Sequence, residues 1–319
     1  MRAALTCIAI FFAATAVAQQ YPSKPIRFVV TGPSGGPTDI IARRLSVKLA
    51  DRLGQQIIIE NRAQGRTVGP DAVAKAAPDG YTLLFTVDTY ITVNPALYSN
   101  LSYSPRDFAP ISIIASLKNF ILSVHPSLPP RSVDEFVAYA RSRPGQVSAA
   151  NAGSGSPAHL VTSLFALRAR VELLHVPYKG GNLALTDLAG GQVNSMFAPA
   201  QNAIPSIKDG RIIPLAVTGP QRIESLPSVP TFAEAGLADF SLNEGFWYGL
   251  LAPVATPQGI IARLARDIRD EVADTGLQNA YRGMGVDPVG NSPAEFARII
   301  SDDLARWAVV IRDARIKVE

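Results

Sequence analysis

The chain has 319 residues, 47% of them hydrophobic and 18% charged. At ~150 residues per domain, that length points to two packed domains and excludes a disordered or low-complexity chain. The formal charge of +4 is scattered, with no basic tract interleaved with stacking aromatics, so no nucleic-acid partner is expected.

The first residues read as a processing signal. Arg2 precedes an apolar run from Ala3 to Ala14, and Ala16-Val17-Ala18 has the A-x-A form of a cleavage site. The run is shorter than the ~20 residues that span a bilayer. We therefore expect a secretory signal peptide over residues 1–18. The single cysteine, Cys7, lies inside it, which leaves the mature chain without disulfides or a cysteine metal site. An exported, cysteine-free chain of this size suits the periplasm, because it can bury enough core to stand without staples.

After the signal, strands and helices alternate. Residues 26–31 form a β-rich run, followed by the turn cluster Gly32-Pro33-Ser34-Gly35-Gly36-Pro37. Thr38-Asp39 opens an amphipathic helix with Ile41, Leu45, Leu49 and Leu53 on one stripe, closed by Gly54. Strands follow at 56–60 and 81–86, with a short helix at 71–77 between them. The middle repeats the pattern, with strands at 120–124, 147–150, 172–176, 193–197 and 213–218. Helices are expected at 132–143, 158–168, 182–188 and 203–208, the first capped by Ser132 with Glu135 three residues on. A strand at 247–252 and long helices at 257–274 and 293–315 finish the chain. Such βαβ runs imply an α/β fold with two lobes, each a mostly parallel sheet flanked by helices. We expect residues 19–119 plus 246–319 in the first lobe and 120–245 in the second, with crossings near 117–120 and 243–246.

Ligands of open parallel sheets bind beyond the carboxyl ends of the strands, so two facing sheets make a cleft. Two strand–glycine–helix junctions are candidate walls. One holds Ser34, Gly35, Gly36, Thr38 and Asp39; the other holds Asn151, Gly153, Ser154, Gly155, Ser156 and His159. At a helix start the free N–H groups and the positive dipole end favour a small anion, and glycine lets a ligand oxygen come close. Two further loops join the candidates: Tyr178 and Lys179 after the strand at 172–176, and Thr86, Asp88 and Thr89 after the strand at 81–86. Asp88 there either holds a ligand ammonium or caps the next turn. Phe197, Trp247 and Tyr248 are candidates for a stacking wall.

Neither glycine loop is a P-loop or a dinucleotide fingerprint, and His125, His159 and His175 show no metal spacing. No cofactor and no metal is expected. Gly32-Pro33-Ser34-Gly35-Gly36 satisfies G-x-S-x-G, so a serine hydrolase with Ser34 as nucleophile is the enzymatic alternative.

Several ordered motifs resemble the periplasmic solute-binding proteins of tripartite tricarboxylate transporters, the Bug-type family. They include Tyr21-Pro22-Ser23-Lys24-Pro25, Gly35-Gly36-x-Thr38-Asp39, Ala76-Ala77-Pro78-Asp79-Gly80-Tyr81, His175-Val176-Pro177-Tyr178-Lys179-Gly180 and Gly190-Gly191-Gln192-Val193. The resemblance implies a Venus-flytrap fold of type II-like form. It implies a non-enzymatic, monomeric receptor that hands a small carboxylate-bearing ligand to membrane permease subunits, or serves as a solute sensor. It also places Ala198 at the site, where the family commonly has an acid; Asn194 likewise replaces one. These replacements leave open a mono- or dicarboxylate, an amino acid or an aromatic acid.

Overall fold

The computed structural model describes residues 21–63, 67–238, 240, 242 and 245–316. The expected signal peptide, and residues 243–244 of the second crossing, lie outside the described residues.

The chain begins with β1 (Ile26–Val30), α1 (Pro37–Leu53), β2 (Ile57–Asn61), α2 (Val68–Ala74) and β3 (Thr82–Val87). The predicted stripe Ile41, Leu45, Leu49 and Leu53 is buried against the sheet, and Gly54 ends α1 in the left-handed conformation at φ 65°. Two short helices, α3 (Thr89–Thr92) and α4 (Asn94–Leu97), lead to the long strand β4 (Phe108–Leu117). Only two residues separate it from β5 (Phe120–Val124). Then come α5 (Val133–Arg141), β6 (Ser148–Asn151), α6 (Pro157–Ala169), β7 (Leu174–Pro177), α7 (Gly181–Ala189), β8 (Ser195–Pro199), α8 (Ala200–Lys208) and β9 (Ile213–Val217). Ser132 caps α5 by accepting from the Glu135 amide, as its spacing predicts. The chain closes with β10 (Phe246–Pro253), α9 (Gln258–Val272), α10 (Thr275–Gly283), β11 (Asp287–Pro288) and α11 (Pro293–Asp313).

The strands make two sheets, ordered β11-β4-β10-β3-β1-β2 and β7-β6-β8-β5-β9. Both are mixed, which corrects the expectation of mostly parallel sheets. Each keeps one parallel trio, β3-β1-β2 and β8-β6-β7. The strands added to those trios, β10 and β4 in one sheet and β5 and β9 in the other, pair antiparallel. The reason is the connections. A helical crossover returns the chain to the same end of its sheet and enforces parallel pairing. Strands β5 and β10 instead enter directly from the other sheet.

Two connections between the sheets lie side by side. The Thr218 hydroxyl donates to the Lys118 carbonyl at 2.6 Å and accepts from the Phe120 amide at 2.9 Å, while the Ala200 amide donates to the Asn119 carbonyl at 2.9 Å. Gly245 has φ 67°, and a Cβ there would lie 2.5 Å from the Leu117 carbonyl oxygen, so only glycine fits this crossing.

Behind the five-stranded sheet, Phe165, Phe197, Phe232 and Phe240 form a buried aromatic cluster, with Phe232 edge-on to Phe240 at 4.6 Å. Helices α9 and α11 return to pack on β4 of the six-stranded sheet, and α9 also lies along α1. Arg52 of α1 binds Asp270 at 3.0 Å and also Glu271 of α9.

Candidate functional site

A cavity of about 480 Å³ lies between the two sheets. Its wall contains residues from the starts of four helices. Gly35 and Pro37 come from the start of α1, and Ala152, Pro157 and Ala158 from that of α6. Gly181 opens α7, while Pro199, Gln201 and Asn202 open α8. Helices α1, α7 and α8 have no side-chain cap, and α6 spends one amide on Ser156, which accepts from the His159 amide at 3.3 Å. The remaining first-turn amides have no partner within their helices, and each helix carries about half a positive charge at this end. No Asp, Glu, Lys or Arg side chain lines the cavity among the described residues.

The other walls are apolar. Ile40 and Ile41 of α1, Leu117, Phe120, Met196, Tyr248, Met284 and Val286 complete them.

The loop before α1 is held by a buried carboxylate. Asp39 Oδ2 accepts from the Gly35 amide and from Arg43 Nε, each at 2.9 Å, and Oδ1 accepts from Asn61 Nδ2 at 2.8 Å. Asn61 Nδ2 also donates to the Gly32 carbonyl at 2.9 Å. Burial by itself pushes the Asp39 carboxyl up, but Arg43, the Gly35 amide and Asn61 together hold it below the ordinary value. Gly35, at φ 78°, makes the turn that faces the cavity.

The loop before α6 is built in the same way. The Gly153 amide donates to Asn151 Oδ1 and the Gly155 amide to His159 Nδ1, both at 3.0 Å. His159 meets His175 edge-on at 4.7 Å between ring centres. Burial, and then His175, lower the His159 pKa to about 4, so it is neutral with its proton on Nε2.

Of the residues expected from sequence, Gly35 and Ala198 line the cavity. Gly36 is the residue before α1, and Ser34 is exposed on the same loop. Thr38 and Asp39 are buried in the first turn of α1. Asn151, Ser154 and His159 face a smaller cavity of about 240 Å³, shared with His175 and residues 314–316. Gly153, Gly155 and Ser156 shape the loop between the two cavities through the hydrogen bonds above. The Tyr178 hydroxyl donates to Asp187 at 2.7 Å, and Lys179 is exposed, so their loop reaches the cavity through Gly181.

The segment at 86–89 is not brought to the cavity. Thr86 is fully buried with its hydroxyl 3.0 Å from that of Thr31, and Thr89 starts α3. Asp88 is fully buried at the end of β3 beside β10, its amide donating to the Trp247 carbonyl at 2.9 Å. Among the described residues neither carboxylate oxygen makes a full hydrogen bond. Burial, and then the charge of Asp303, raise its pKa well above the ordinary value. Of the stacking candidates, Tyr248 lines the cavity. Phe197 belongs to the aromatic cluster, and Trp247 is buried with its indole N–H on Asp303 at 3.0 Å.

Sequence reading overlooked Pro37, Pro157, Pro199, Gln201 and Asn202. The available signal was proline at or just before a first helical position, which marks a helix start. It would have moved the expected start of α8 from 203 to 200.

Comparison with known proteins accords with this geometry. Residues 41–316 match the model of the tripartite tricarboxylate transporter family receptor, TctC. BugT of Bordetella pertussis is 35% identical over 323 residues, covering 99% of this chain and 98% of BugT. Two Rhodopseudomonas palustris structures are similar throughout. One, solved with adipate, has a TM-score of 0.76 at 34% identity, covering 93% of this chain and 99% of that one. The other, MatC with bound malate, has a TM-score of 0.74 at 31% identity, covering 91% and 100%. The chain is thus an α/β protein of the periplasmic-binding-protein type, and the hydrolase alternative falls, because the matched family consists of periplasmic solute receptors and not enzymes. The protein belongs to the tripartite tricarboxylate transporter receptor family.

Proposed function

We propose that the protein captures a small carboxylate in the cavity between its lobes and delivers it to the permease subunits of a tripartite carrier. The observation that carries this reading is the convergence of α1, α6, α7 and α8, by their N-terminal ends, on one cavity that no charged side chain lines among the described residues. Such a wall stabilises an anion through amide hydrogen bonds and helix dipoles. Each helix end contributes ~0.3–2 kcal/mol. Several ends plus their hydrogen bonds are needed to approach the roughly 8 kcal/mol of a micromolar complex. The adipate and malate bound in the two Rhodopseudomonas structures support a carboxylate ligand.

In this reading residues 19–119 plus 246–319 and residues 120–245 act as the two lobes. The loops at 34–38 and 153–156 supply the donors, and closure about the crossings at 117–120 and 245 hides the ligand from water. Thermal melts with a panel of carboxylates test it, since a ligand of the native state raises the melting temperature. A dose-dependent rise with at least one acid is expected. No rise with any of them at millimolar concentration defeats the reading.

A further inference from the structure

The segment that opens α6 has a second side. Ala152, Pro157 and Ala158 line the large cavity, whereas Asn151, Ser154 and His159 line the smaller one of about 240 Å³. Ser163, one turn farther along α6, lines the smaller cavity too, and His175 of β7 and Arg315 after α11 face it from two other segments. The two cavities have no lining residue in common. Asn151 and Ser163 are each 1% exposed, while Ser154 and Arg315 are exposed and leave the cavity open to solvent.

Polar groups here lack partners. The Ser163 hydroxyl and His175 Nδ1 are buried and make no hydrogen bond among the described residues. Buried polar atoms are nearly always paired, so two such atoms on one cavity mark groups that an occupant satisfies. A space of about 240 Å³ is several times the ~30 Å³ share of one water molecule.

The wall chemistry selects the occupant. His159 Nδ1 accepts from the Gly155 amide, which leaves the ring N–H on Nε2 as a donor. Asn151 Oδ1 accepts from the Gly153 amide, which leaves its Nδ2 to donate. The Ser154 and Ser163 hydroxyls and the Arg315 guanidinium add further donors. No carboxylate side chain lines the cavity among the described residues, and the positive end of α6 adjoins it. The C-terminal end of α11, which would repel an anion, is closed off. The carbonyls of Val310, Ile311 and Arg312 accept from the amides of Ala314, Ile316 and Arg315. A metal ion would meet the Arg315 charge and the helix start with no anionic ligand to offset them.

We propose that this cavity is a second binding site, for a small tetrahedral oxyanion such as sulfate or phosphate. Donors reach it from the 151–154 loop, α6, β7 and the residues after α11, and a tetrahedral anion presents an oxygen toward each. Arg315 supplies the charge-assisted contact and the Ser163 hydroxyl donates from within.

NMR of the imidazole rings tests the proposal, because the protein has three histidines, His125, His159 and His175. Sulfate and phosphate are titrated separately against chloride at matched ionic strength. At least one of them is expected to shift the His159 and His175 signals saturably at low-millimolar concentration. His125, which pairs with Ser127, should not move. The bound anion should also raise the titration midpoint of His159, about 4 without it, by roughly one pH unit or more. Shifts that do not saturate, or that affect all three rings alike, overturn the proposal.

Arg315→Gln, at an exposed position, and Ser163→Val are each expected to weaken binding of that anion roughly fivefold or more. Unchanged affinity in either variant, once thermal melting shows it folded, places the anion elsewhere and overturns the proposal. If Ser163→Val does not fold, Arg315→Gln decides.

Discussion

Gln201 at the start of α8 lies directly on Gly285, in the turn between α10 and β11. A Cβ built on Gly285 would be 2.3 Å from Gln201 Oε1 and 2.7 Å from Gln201 Cβ. The two residues belong to segments built on different sheets, and both neighbours of Gly285, Met284 and Val286, line the cavity. The close approach of the lobes on this side of the cleft therefore depends on the missing side chain.

Gly285→Ala is expected to hold the lobes apart. Gly285 also has φ 74°, so alanine adds roughly 1–2 kcal/mol of backbone strain. The variant should bind its carboxylate more weakly and have a larger radius of gyration with ligand present. Pairing it with Gln201→Ala removes the clash but not the strain. The double variant should recover the compact scattering profile while remaining less stable than wild type. If the single variant scatters like wild type with ligand bound, the contact does not govern closure.

Asp39 serves the site through the loop it holds. Removing the carboxylate in Asp39→Ala takes away the acceptor of the Gly35 amide and of Arg43 Nε and one of the two acceptors of Asn61 Nδ2. We expect a loss of about 1–3 kcal/mol in urea unfolding, with ligand affinity reduced as the glycine loop loosens. Wild-type stability in this variant would show that the cluster carries little.

His159 makes stability depend on pH. Its folded-state pKa is about 4, below the ordinary 6.5, so the unfolded chain binds the extra proton first as pH falls. The contribution of neutral His159 is complete above pH ~6.5 and is lost as pH falls toward ~4, on the order of 2 kcal/mol. Protonating Nδ1 also sets a second N–H against the Gly155 amide. Melting temperature should therefore fall between pH 6.5 and 4, and His159→Gln should flatten that part of the profile.

Asp88 shifts in the opposite sense. A buried carboxyl with a raised pKa keeps its proton while the unfolded chain releases one, so stability declines as pH rises above ~3.9. Asp88→Asn removes this penalty. The variant should melt higher than wild type at pH 7, and the gain should shrink as pH approaches 4. A lower melting temperature at pH 7 would mean that the ionised carboxylate has a partner in the folded protein.

Local structure was legible along the chain. The stripe of α1, its Gly54 stop, the Ser132 cap and the two glycine loops are signals within one or two helical turns, and each is where the spacing puts it. The motifs that resemble Bug-type proteins also identified the family before any fold was seen. Strand β4 gave no such signal. Eight of its ten residues are buried, so it shows no alternation, and Pro110 interrupts the run. Helix α10 is nine residues long with glycine at its second and last positions, too short and too weak in propensity to stand out.

Which helix starts share one cavity, and which polar residues lie outside it, follow from long-range packing. Gly35 and Gln201 meet the same cavity from 166 positions apart, and nothing local to either reports the other. Asp88 and His159 are polar residues beside loops, which is all a sequence reveals of them. Asp88 is buried because β10 returns from the other sheet to pair with β3 and α11 packs against α3. His159 faces the smaller cavity because residues 314–316, at the end of α11, are brought against α6. Hydrophobic periodicity and capping are set by neighbours along the chain, whereas burial and cavity walls are set by segments that the crossings bring together.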